Sequence, residues 1–308
     1  MKWIWRKINF FCFLPLKILW LKIRNRQLYK MESQLEFKHF LSVAAIAKNE
    51  GCNFREWIEY HRLVGVEKFY IYDNESTDDT RETLRPYIES GLVEYTYFPG
   101  KKKQNPAYID CFNKHKLDTK WIALIDLDEF LVPLDCETIP DFLKRLPLAA
   151  TQLCIGWLVY GDSGHEKKQD GLVIEAFKYH WGEADFCGKV IINPRDIAML
   201  NAHRSIMING ETVNEDGNVI KPSQWIKGRR LKGKFTISKI RINHYQIKSW
   251  EEYSKKYARG AAGSGNYKKF TRKTFDKLNI NKALDNTMDK YVERLKDILT
   301  IQKAAKNG

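Results

Sequence analysis

This chain of 308 residues has six cysteines, Cys12, Cys52, Cys111, Cys136, Cys154 and Cys187, but no C-x-x-C pair among them. Such scatter indicates neither a zinc site nor a disulfide framework, and a reducing cytosol is its easier home. No P-loop glycine pattern is present, which counts against a phosphotransferase or nucleotidyltransferase. The basic residues form no RRM, KH or helix-turn-helix pattern, so nucleic acid is not an expected partner. Repeats and disorder-prone tracts are missing too, leaving a chain long enough for one large core or two modest ones. The first thirty residues hold no acid, and Arg6, Lys7 and Lys17 break their apolar run. A spanning helix wants ~18 uncharged residues, and a secretory signal wants a small-residue cleavage site; neither is found.

What is present is cationic. Lys and Arg number 52 against 38 acids, a formal net charge of +14, which suits partners that carry phosphate or an anionic membrane surface. Residues 1–30 interleave eight Lys or Arg with Trp3, Trp5, Phe10, Phe13, Leu16, Trp20 and Ile23. This pattern predicts an amphipathic stretch lying in the membrane interface, with a poor single-pass anchor and a helix docked on protein as rivals.

Three short apolar runs end in polar residues. They are 41–47 before Lys48-Asn49-Glu50, 68–72 before Asp73-Asn74, and 121–125 before Asp126-Leu127-Asp128-Glu129. Helical spacing at 54–64, 79–89 and 107–115 alternates with these runs and with a strand at 92–97, the pattern of a parallel sheet with crossover helices. Later strands are expected at 152–160, 172–179, 189–194 and 240–245. Ligands of open α/β sheets bind outside the carboxyl ends of the strands. There Asp126 and Asp128 would reach one hard dication, Mg or Mn, unless they merely cap a helix or face solvent. Asp73 would accept hydrogen bonds from a base or ribose hydroxyl, or else form an Asx turn.

Lys48-Asn49-Glu50, Glu56-Trp57, Tyr60-His61, Gly65-Val66, Phe69 to Asn74, Ser76, Asp78 and Asp126 to Leu131 resemble glycosyltransferase family 92 and its bacterial relatives, in order and spacing. Ile240 to Tyr245, with Lys248-Ser249, Glu251-Glu252, Lys256 and Arg259-Gly260, resembles the family's C-terminal signature. The resemblance implies a GT-A fold, a Rossmann-like mixed and mostly parallel sheet flanked by helices. It also implies a D-x-D that binds a divalent metal and a nucleotide-diphosphate sugar, and inversion at the anomeric carbon.

On that footing the metal ligands are Asp126, Asp128 and His244, the last against its alternative of packing beside Tyr245. Lys48, Glu50, Asp73, Asp126, Lys189, Lys256 and Arg259 would bind the donor. Asp128 and Glu129 would serve catalysis, Glu129 as base or as an outer support. The expected organisation is a membrane-associating segment at 1–35, a GT-A domain at 36–260 and a helical appendage at 261–308. The expected reaction is hexosyl transfer from a nucleotide sugar, UDP-galactose first, to a glycan or lipid-linked saccharide as in lipopolysaccharide or surface polysaccharide synthesis. The expected place is the cytoplasmic face of the membrane. A metal-dependent phosphotransferase or nucleotidyltransferase, or a non-catalytic carbohydrate-binding scaffold, is the alternative.

Overall fold

The computed structural model describes residues 2–26, 30, 34–221, 225–226, 230–231, 236–258 and 271–307. In chain order the elements are α1 (Lys2–Arg24), β1 (His39–Ala47), α2 (Gly51–Leu63), β2 (Lys68–Asp73), α3 (Thr80–Glu89), β3 (Val93–Tyr97), α4 (Gln104–His115), β4 (Thr119–Leu124) and β5 (Glu129–Pro133). They continue as α5 (Ile139–Lys144), β6 (Ala150–Tyr160), α6 (Val173–Ala176), β7 (Tyr179–Ile192), β8 (Ile197–Met199), β9 (Ile206–Met207), β10 (Glu211–Val213), β11 (Trp225–Ile226) and β12 (Arg230–Leu231). The last are β13 (Ile240–His244), α7 (Trp250–Ala258), α8 (Arg272–Leu278), β14 (Ala283–Leu284) and α9 (Asp289–Asn307).

One mixed sheet runs β3-β2-β1-β4-β7-β6-β13-β5, with β10 beside β6 and β14 beside β7. Strands β3, β2, β1 and β4 are parallel, and β13 is parallel to β6. Strand β7 is antiparallel to β4 and β6, and β5 is antiparallel to β13. This is the expected α/β architecture. The chain leaves β1 for β2 and β3 on one side and returns to β4 on the other. The carboxyl ends of β1 and β4 therefore flank a topological switch point, where a crevice opens. Apolar side chains of β1 alternate between two cores: Val43 and Ala45 pack with Trp57, Tyr60 and Leu84, whereas Ala44 and Ile46 pack with Tyr108, Cys111 and Phe112.

The edge strand β5 is covered by side chains rather than by another strand. Trp57 Nε1 donates to Glu129 O at 2.9 Å and Tyr60 Oη donates to Leu131 O at 2.9 Å. His61 Nε2 accepts from Leu131 N at 3.2 Å, which leaves Nδ1 to donate to Trp57 O at 2.7 Å. An open sheet edge invites mispairing, and three α2 side chains satisfy this one. Trp57, Tyr60 and His61 of the Glu56-Trp57 and Tyr60-His61 motif are thus a device that fixes the strand following the acidic tip.

Two sequence expectations change. Residues 172–179 read as a strand, yet Val173–Ala176 is a helical turn. The buried Glu56 carboxylate accepts from Val173 N at 2.8 Å and Ile174 N at 3.0 Å, capping that turn from α2. The appendage expected at 261–308 ends in a helix whose Met288, Tyr291, Val292 and Leu295 join the main core, and Tyr291 meets the Tyr60 ring edge-on at 5.1 Å. Spacing of i, i+3, i+4 and i+7 makes one apolar stripe, which α2 covers.

Candidate active site

The loops that follow β1 and β2 hold each other. Asn49, in a left-handed conformation with φ of 53°, donates its N–H to Ser76 Oγ at 2.8 Å, and its side-chain oxygen accepts from Thr77 N at 2.7 Å. Asp78 accepts from Gly51 N at 2.9 Å, fixing the start of α2. Asp73 uses both oxygens internally, accepting from Ser76 N at 2.9 Å and from Tyr95 Oη at 2.5 Å. It therefore shapes the turn, the Asx role. Lys48 Nζ lies 3.9 Å from Glu75.

The acidic tip is held from both sides. Asp126 Oδ2 takes an ion pair from Lys189 Nζ at 2.8 Å, and its Oδ1 accepts from Gln104 Nε2 at 3.3 Å. Lys189 is 1% exposed and also lies 3.3 Å from Glu129 Oε2. Burial works against its charge, and Asp126 and Glu129 outweigh burial, so Lys189 stays protonated. Its approach to the tip depends on Gly188, where a Cβ would fall 1.8 Å from Ile155 O. Only glycine lets β7 pass β6 that closely.

Glu129 is fully buried; its Oε2 accepts from Asp126 N at 2.8 Å, and burial pushes its carboxyl up to about 7 against the pull of Lys189. The structure thus places Glu129 beneath the acid pair, bracing it. Asp128 points the other way. Its Oδ2 meets the Lys256 ammonium and lies 3.5 Å from His244 Nε2, and Tyr245 N donates to its carbonyl at 2.8 Å. Burial would raise the Asp128 carboxyl, but Lys256 and His244 hold it well below the usual carboxylate range. The His244 ring packs on Trp157 at 4.4 Å, so the histidine both borders the site and packs under it.

A cavity of about 190 Å³ opens here, bordered by Asn49, Glu50, Asp128, Gln246, Lys248 and Lys256. A larger one, about 700 Å³, lies among α2, α3 and α9 beside Arg55, Tyr87 and Gln302, away from the acidic tip. Asn49 and Lys248 both have left-handed backbones, φ of 53° and 49°, and face the smaller cavity together. Strained non-glycine backbone of this kind clusters at functional sites. Lys248 was not among the expected site residues. Its Nζ donates to Asn53 Oδ1 at 2.9 Å; it stands in the Lys248-Ser249 pair of the C-terminal signature, but the strain that points to a site role appears only in the folded backbone.

Of the expected residues, Glu50, Asp128, His244 and Lys256 come together. Asp126, Lys189 and Glu129 form an adjoining cluster, Asp73 and Lys48 belong to the loop scaffold, and Arg259 lies outside the described residues. Among the described residues no group of three or more His, Cys, Asp or Glu side chains is gathered as a metal cage. Asp128 and His244 nevertheless fit a dication that takes its other ligands from phosphate and water, as Mg and Mn do with nucleotides, and the imidazole favours Mn.

Residues 41–282 match the family described as Glycosyltransferase family 92. A family 92 protein of Oryza sativa subsp. japonica is 25% identical over 224 residues, 71% of this chain and 35% of that protein. Beta-1,4-galactosyltransferase galt-1 of Caenorhabditis elegans is 30% identical over 114 residues, 33% of this chain and 27% of its own length. The chain spans about a third of the length of the rice relative. Among solved structures, TarS residues 1–349 of S. aureus overlap 50% of this chain and 47% of that chain at a TM-score of 0.36 and 13% identity.

Proposed function

The chain belongs to glycosyltransferase family 92, and we propose on that footing that it transfers a hexose, with inversion, from a nucleotide-diphosphate donor to a saccharide hydroxyl. The observation that carries this reading is the convergence of Asp128, Lys256 and Glu50 on one small cavity at the switch point of the sheet, with His244 3.5 Å from Asp128 Oδ2. The galactosyltransferase name of the nematode relative makes UDP-galactose the first donor to try.

Mn or Mg on Asp128 and His244 would supply Lewis-acid stabilisation of the departing diphosphate. Lys256, on α7, brings a second cation to the same side of the leaving group. Lys189 fixes Asp126 and keeps a positive charge behind it. Glu129 holds the Asp126 backbone and so positions the pair without touching substrate. The acceptor hydroxyl needs a carboxylate base. Asp128 is committed to the cation, and Glu252 forms a capping box with Ser249, whose Oγ donates to it at 2.8 Å. Glu50 is the remaining carboxylate on the cavity wall and takes that role. The acceptor is a glycan or lipid-linked saccharide.

The test is release of nucleoside diphosphate from a panel of nucleotide sugars with Mn, alongside an Asp126→Ala, Asp128→Ala double variant. Turnover of one donor, lost in the variant and on chelation, is expected. Release that survives both the variant and chelation would overturn the site, and absence of both turnover and donor-induced thermal shift would overturn the reaction. Glu50→Gln should lower kcat while leaving donor binding in place.

A further inference from the structure

Helix α1 is not a free tether. Leu21 is buried with Ala198 and Ile208, and Ile18 and Ile206 pack against that cluster, so the helix is docked on the β8–β9 hairpin. At about 100° per residue, Leu14, Ile18 and Leu21 share that docked face. Phe13, Leu16, Leu19, Trp20 and Ile23 fall on the opposite side in an arc about 120° wide. These five are 55–68% exposed. Lys17 and Arg24 border the arc on one rim and Lys22 on the other, and the Arg24 guanidinium lies 4.5 Å from the Trp20 ring. A contiguous exposed apolar stripe marks an interaction surface. Cations on both rims and eight Lys or Arg without an acid in residues 1–30 select an anionic partner. Among the described residues no helix is long and apolar enough to cross a membrane.

We propose that α1 lies flat in the headgroup region of an anionic phospholipid bilayer, its outward stripe inserted and its docked face holding the domain against the membrane. The hairpin under the helix leads to the candidate site. His203, between β8 and β9, bonds Gly188 O through Nδ1 at 2.8 Å, next to Lys189. Its ring meets Trp157 edge-on at 5.6 Å, and Trp157 packs on His244. The lipid-bound helix therefore rests on an element joined through His203 and Trp157 to His244, the partner of Asp128, an arrangement suited to a membrane-embedded acceptor. Lipid binding itself does not depend on the transfer reaction.

The experiment is flotation of the full chain with vesicles of phosphatidylcholine alone and with about a third phosphatidylglycerol. Binding to the anionic vesicles only, released by high salt, is expected. Trp20→Glu with Ile23→Glu should abolish flotation with an unchanged far-UV melting curve, since both side chains point away from the domain. Lys17→Glu with Lys22→Glu, which spares the apolar stripe, should weaken binding by at least about fivefold for each charge removed. Equal binding to neutral vesicles, no binding at all, or retention in the Trp20→Glu, Ile23→Glu variant would overturn the proposal. So would a dimer in light scattering that the same variant dissociates without lipid, because a second copy would then cover the stripe.

Discussion

His61 offers a quantitative test of how α2 secures the strand behind the acidic tip. It is fully buried, it accepts from Leu131 N, and burial drives its pKa down to about 3 although the Trp57 carbonyl opposes the shift. Its folded pKa lies below the ordinary 6.5, so the folded state demands the neutral ring. The resulting stability is fully present above pH ~6.5 and declines as pH falls toward ~3, at about 1.4 kcal/mol per unit. His61→Phe keeps an aromatic ring stacked near Phe130 but leaves the buried Leu131 N–H unsatisfied, a cost of about 1–3 kcal/mol at neutral pH. Between pH ~7.5 and ~4.5 the wild type should lose about 2.5 kcal/mol relative to the variant, closing that gap. Urea unfolding of both proteins across this range measures it. The difference must be used because burial pushes Glu56 and Glu129 up to about 7, which tilts the wild-type curve the opposite way. A gap constant with pH would refute a buried neutral His61.

Other consequences follow from the same contacts. Gly188→Ala sets a Cβ 1.8 Å from the Ile155 carbonyl, so a drop of more than about 3 kcal/mol in thermal stability, or failure to fold, is expected. Lys189→Met strands Asp126 beside the buried Glu129 and should cost about 3–5 kcal/mol by denaturant titration. A smaller loss in the Lys189→Met, Glu129→Gln double variant would show that the two residues act as one unit. For Glu56, folded pKa about 7 against an ordinary 4.5, stability is fully present at low pH and lost as pH rises through 7. Wild type should therefore lose about 3 kcal/mol relative to Glu56→Gln between pH ~4.5 and ~7.5, read from paired melts.

Much of this architecture was legible because local pattern and final environment agree. The runs at 41–47 and 68–72 are buried strands whose side chains alternate between two cores, and the acids after 125 do sit at the switch point. What stayed hidden was set by partners distant in the chain. The turn at 173–176 is helical because Glu56, 117 residues earlier, caps it. Glu129 reads as a base or an outer support at a strand tip, and Lys189, brought in by Gly188, lets it sit fully buried beneath that tip. Asp73 has the composition of a ligand and the geometry of a turn, because Tyr95 on the neighbouring strand takes its second oxygen.

Binding of a nucleoside diphosphate to wild type and to an Asp128→Ala, His244→Ala variant, by calorimetry with and without Mn, tests the central claim most directly. The account predicts Mn-dependent binding to wild type that falls at least about tenfold in the variant, with the fold intact by circular dichroism. Equal affinity in the two proteins, with Mn making no difference to either, would contradict it.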